Sequence, residues 1–258
     1  MLGKLMKYEF KATGRVFLPM FGALLIVAAF SRLFVSLSFK VPSAIGIIVS
    51  VIMIIGIFVM TFLLTIQRFN KNLLGSEGYL MFTLPVSTDS LIFSKLLTAA
   101  VWNIASVIIV FTAISIMAMT GFSFREMAEA IQRLLRSTDI TDLNFALYVI
   151  EVTVSVLVSL LAGILTLYAC MALSLLVNKH RGLFAFGAFV VINILLQTAG
   201  SILLVAGGVM NFENIFLKMQ LEQQIHMVAI LMIVLNFVIA GIFYVVTKLM
   251  LKYKLNLD

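Results

Sequence analysis

Apolar residues run along this chain in six long blocks separated by short polar segments, and most blocks reach or pass the length at which a helix crosses a bilayer, about 18 residues. They predict spans over residues 16–39, 42–66, 90–120, 145–177, 183–209 and 227–247. The first fifteen residues follow another pattern. At about 100° per residue, Lys4, Lys7, Lys11 and Arg15 share one stripe opposite Leu2, Leu5, Met6 and Phe10, which predicts a helix lying in the membrane interface. Glu9 and Thr13 interrupt its apolar face. Pro42 suits the first turn of the second span, and Thr88 or Asp89 is placed to cap the third. The fourth block is unusual: 33 residues at about 1.5 Å each exceed an apolar slab of roughly 30 Å, so that helix must tilt, bend or project. Between spans, Met127, Ile131, Leu134 and Leu135 recur at helical spacing within 121–144, which predicts a short surface helix. The segment 210–226 is amphipathic through Phe212, Ile215, Phe216, Met219 and Leu221.

Composition agrees with the pattern. With 63% apolar and 11% charged residues and a mean hydropathy of +1.18, the chain reads as an all-α integral membrane protein, a single transmembrane domain over 1–258. The net charge of +7 does not point to nucleic acid, because the basic residues sit at helix ends and in short loops. Residues 16–31 resemble a leader only superficially, since the basic region before them is too long, and they are expected to be a retained span. Six spans put both termini on one side. That side holds 12 basic and 4 acidic residues, the other 6 and 6, so the termini are expected in the cytoplasm. Arg32 and Lys95 lie inside apolar blocks near their ends, where their stems can snorkel to the surface.

Few residues offer chemistry. Glu151 is the one acidic residue inside an apolar span, about two turns into the fourth, with no charged partner in any span; it reads either as a cation or proton contact or as a structural hydrogen-bonding group. Asn103 reads as an interhelical hydrogen-bonding residue or a contact on a translocation path, and Asn193 and Gln197 lie one turn apart on one face of the fifth span. Gly22, Ala162, Gly163, Ala169, Ala172, Gly187 and Gly200 are candidates for close helix contacts. His180 and His226 fall near opposite membrane faces and cannot share a metal, so no metal site is expected. Cys170 reads as a small buried apolar residue. The sequence contains no HExxH, no GxSxG and no phosphate-binding GxxxxGK[ST] run, so no catalytic residue is expected and any ATP must bind another polypeptide. A transport subunit, a non-transporting membrane sensor or anchor, and an ion-coupled transporter remain open. The last fits least, for want of paired ionisable groups or broken helices at the midplane.

The segment between the second and third blocks, 67–89, is the most informative. It reads QRFNKNLLGSEGYLMFTLPVSTD and is too apolar for a water-filled link: Leu73, Leu74, Tyr79, Leu80, Met81, Phe82, Leu84 and Val86 all need covering, by headgroups or a partner. Gly75 and Gly78 free the backbone around Glu77, and Pro85 stops any helix near Leu84, which predicts a short amphipathic piece over 77–84. The run NKNLLGSEGYLMFTLPVS followed by LIFSKLL resembles the loop after the second helix in small bacterial permeases of the ABC-2 type transporter family, and the order of elements resembles that family along the whole chain. The resemblance implies a membrane-spanning subunit of an ATP-driven exporter in a bacterial cell membrane. It implies a separate cytoplasmic ATPase that binds ATP and Mg, a second permease copy or a related permease, and an amphiphilic substrate such as a peptide, lipid or drug. It also implies an interfacial first helix and a coupling interface at 72–85, here with Glu77, Gly78, Tyr79, Leu80, Phe82, Leu84 and Pro85. Residues 211–224 would line an outer exit. The chain departs from the family in its larger 121–144 insert and its long fourth helix.

Overall fold

The computed structural model describes residues 2–74, 87–118, 129, 142–177, 179–209, 219 and 221–253. Among these residues the chain is helical, without strands. Six long helices account for most of it: α1 (Leu2–Ser36), α2 (Lys40–Phe69), α3 (Thr88–Ala118), α4 (Asp142–Leu173), α5 (Arg181–Val209) and α6 (Leu221–Tyr253). Each contains a stretch long and apolar enough to cross a membrane. Backbone polar groups cannot be left bare in hydrocarbon, and a helix satisfies them within itself, so apolar blocks of this length take that form. The protein is therefore a multi-pass membrane protein. Its many exposed large side chains, such as Ile48, Ile52 and Ile55 on α2, are suited to lipid.

Several boundaries differ from the sequence expectation. The first fifteen residues do not form a separate helix, because α1 runs unbroken from Leu2 to Ser36. Nothing at the junction breaks it: Gly14 is a single glycine, and Pro19 lies inside the helix, where neighbouring helices can compensate its missing donor. At the other end of the chain α6 begins at Leu221 rather than 227 and continues to Tyr253, because Gln223, Gln224 and the lysines near its end are good helix formers whatever their polarity. Thr88 and Asp89 are already helical, and Asp142 opens α4. A 3₁₀ turn, Ser174–Leu176, ends α4. The short helices expected within 77–84 and 121–144 fall almost wholly outside the described residues, as does most of 210–226.

Two compact units divide the chain: Met1–Arg68 with Ser90–Thr141, and Phe69–Asp89 with Asp142–Asp258. The core of the first is a stripe on α1, Phe17, Phe21, Leu24 and Ala28, packed against Ile57 of α2 and Val110 and Ala113 of α3. Trp102 of α3 adds a polar handle to this stripe. Its ring stacks on Phe17 at 4.5 Å, and its indole N–H donates to Thr13 Oγ1 at 2.6 Å. Beyond it Lys95 donates to Glu9, both buried, so neither snorkels outward as the sequence suggested for Lys95. Thr61 of α2 and Ser106 of α3 share a hydrogen bond of 3.0 Å.

One close helix approach in this unit is at a glycine the sequence did not single out. Gly46 of α2 lies against Ser31 of α1, whose backbone Cα would stand 3.2 Å from a Cβ added there. Gly22, Gly163, Gly187 and Gly200 have open space at that position instead. Leu37, Ser38 and Phe39 make the turn between α1 and α2, with Ser38 in the left-handed region at φ 59°.

In the second unit α4 packs lengthwise along α6 and, over less of its length, against α5. Its C-terminal half is the buried part, with Ala162, Leu165, Tyr168, Ala169, Cys170 and Ala172 enclosed. Alanines there let neighbouring helices come close, as expected for Ala162, Ala169 and Ala172.

Candidate functional site

The seven residues assigned to a coupling interface, Glu77, Gly78, Tyr79, Leu80, Phe82, Leu84 and Pro85, lie outside the described residues. The described residues on either side of them, 69–74 and 87–89, belong to the second unit. On the entering side, α2 widens into a π-helical turn, Asn70–Leu74. Such turns add one residue to the helical repeat and often occur where function needs a local change of direction. Phe69 and Leu73, four residues apart, are both fully buried, and Phe69 stacks on Tyr168 of α4 with ring centroids at 4.1 Å and planes at 17°.

On the leaving side the anchor is polar. Asp89, in the first turn of α3, accepts a hydrogen bond from the Tyr244 hydroxyl and pairs with Lys248 at 2.8–2.9 Å. Tyr244 and Lys248 are one turn apart on α6, so their side chains converge on one carboxylate. The charged pair is about 40% exposed. The 75–86 stretch therefore leaves from an aromatic stack on α4 and returns to a charged clamp on α6.

At the opposite end of the same two helices lies a second polar cluster. Glu151 of α4 meets His226 of α6, with Nδ1 at 2.8 and 2.7 Å from the two carboxylate oxygens. Both carboxylate oxygens therefore lie within hydrogen-bonding distance of the one ring nitrogen. Tyr148, one turn before Glu151, stacks on the imidazole at 4.5 Å and 19°, fixing its plane. Glu151, for which the sequence named no partner in any span, thus has a hydrogen-bonding partner on another helix. His226 is missed because it stands 75 residues away, in a segment read as lying before the sixth span.

The other polar candidates do not join this cluster. Asn103, in the first unit, donates to the Ala99 carbonyl one turn back on its own helix rather than across helices. Asn193 does the same toward Phe189 at 2.8 Å, and the Gln197 backbone carbonyl accepts from the Ser201 hydroxyl. Such bonds satisfy polar groups in an apolar setting without making a path. Cys170 is buried and free. Among the described residues no three His, Cys, Asp or Glu side chains come together in a way that could hold a metal ion. Tyr148, Tyr168 and Tyr244 are the residues sequence reasoning overlooked. Their one signal is a hydroxyl-bearing aromatic inside an apolar helix, which usually needs a polar partner. No family model, curated protein or solved structure matches the chain.

Proposed function

We propose that this chain is the membrane-spanning subunit of an ATP-driven exporter of the ABC-2 type, moving an amphiphilic substrate with ATP and Mg bound by a separate ATPase. The termini and the 67–89 segment face the cytoplasm in this reading. The ATPase docks on 72–85, with Tyr79 and Phe82 as apolar anchors and Glu77 orienting them, and a second copy or a related permease completes the path. One observation carries the coupling role: both flanks of that stretch are fixed to helices of the second unit, Phe69 on Tyr168 and Asp89 on Tyr244 and Lys248. Both flanks thus give a displacement of the stretch a route into α4 and α6. The six apolar helices and the lack of a nucleotide-binding motif in the sequence are in keeping with it.

The test replaces both aromatics, Tyr79→Ala with Phe82→Ala. Aromatics at the centre of an interface typically contribute about 2 kcal/mol or more each, so retention of the ATPase through detergent purification should fall at least about tenfold. Substrate-stimulated hydrolysis in vesicles should fall with it while the subunit stays in the membrane at normal abundance. An intact complex with undiminished stimulation would refute the docking role. It would favour the same face lying on the lipid surface of a sensor or anchor.

A further inference from the structure

Where α4 and α6 begin, a polar pair stands beside an apolar groove. Glu151 lies in the N-terminal half of α4 and His226 in the first turns of α6. The groove lies between Val152, Ser155 and Val156 on α4 and Gln224, Val228 and Met232 on α6, with a volume of about 410 Å³. Val152, Val156, Val228 and Met232 are all exposed along it. Polar acceptors next to an apolar groove suit a phospholipid, whose polar headgroup adjoins its acyl chains.

We propose that this is a binding site for a phospholipid with a primary ammonium headgroup, the ammonium against Glu151 and His226 and one acyl chain in the groove. The inference does not depend on the transport reading. Its chemical basis is the surplus of acceptors at the pair. A carboxylate offers about four lone-pair sites, of which the imidazole Nδ1 meets only the side facing it. The His226 and Glu151 side chains are 29% and 21% exposed, so an outside donor can reach them. A primary ammonium brings three N–H donors and a positive charge. A choline headgroup has the charge but no N–H, and a glycerol headgroup has no cation to set against the carboxylate. The stacked Tyr148 ring holds the imidazole in place for this contact.

The full chain, reconstituted in vesicles of equimolar phosphatidylethanolamine, phosphatidylcholine and phosphatidylglycerol, is extracted in mild detergent and its retained lipids are counted by native mass spectrometry. Charge-assisted hydrogen bonds of this kind should enrich phosphatidylethanolamine about tenfold over the other two. Glu151→Gln should bring the three lipids to within about twofold of each other. Val156→Phe, which fills the groove and leaves the pair intact, should lower the retention of all three. Equal retention of the three lipids by the unmodified protein would overturn the proposal, as would an unchanged preference in Glu151→Gln. Should Glu151→Gln fail to assemble, the Val156→Phe variant decides: undiminished retention there leaves no role for the groove.

Discussion

Glu9 and Lys95 in the first unit are shut away, with side-chain exposures of 9% and 2%, whereas Asp89 and Lys248 in the second remain 40% and 42% exposed. Both pairs join helices distant in sequence, yet they do different work. A buried pair in apolar surroundings costs desolvation on both sides, so its gain over an apolar substitute is small, while losing one partner strands a charge. An exposed pair contributes little to stability and can open and re-form at small cost. The first unit thus uses charge to fix which helices meet. The second leaves the Asp89–Lys248 pair partly exposed.

That contrast can be broken most sharply in the first unit. Lys95→Met removes one member of this buried ion pair and should cost about 3–5 kcal/mol in detergent unfolding. Adding Glu9→Leu to it should recover most of the loss, and a double variant as unstable as the single one would mean the pair is a net stabiliser. Next in size is Gly46→Val. The added side chain meets Ser31 down to its backbone, so overpacking should cost about 1–3 kcal/mol by the same measurement. In the second unit, Lys248→Ala should change unfolding by less than about 1 kcal/mol. On the proposed function it should nevertheless reduce substrate-stimulated ATP hydrolysis, because the return end of the 75–86 stretch loses its clamp. A large loss of stability with Lys248→Ala would erase the distinction between the two units.

The six helices were legible because crossing an apolar layer depends on block length and hydropathy alone, and those are local. Their ends were less so. The start of α6 was placed at 227 because Gln223, Gln224 and His226 break the apolar run without breaking the helix, and the 1–15 segment was separated from α1 by its change of pattern, although no breaker stands between them. The polar pairs were not legible at all. Glu9 meets Lys95 across 86 residues and Glu151 meets His226 across 75, and helical periodicity assigns residues to faces without saying which faces meet. Reading Glu151 as partnerless was a consequence of counting charges only inside the predicted spans, with His226 just beyond one of them.

The clamp on Asp89 also bears on how the protein is made. Its partner Tyr244 lies 155 residues further along the chain. At the usual pace of synthesis, about 5–20 residues per second, Asp89 waits roughly 8–30 s before Tyr244 exists. The α1–α2 hairpin, closed by a three-residue turn and the Ser31–Gly46 contact, has no such delay and can settle as soon as its second helix enters the membrane. The Asp89 clamp is therefore completed only once α6 has been made, so a chain stalled before α6 carries Asp89 without Tyr244 and Lys248. Delivery of α6 is thereby tied to the place where, in our reading, another subunit docks.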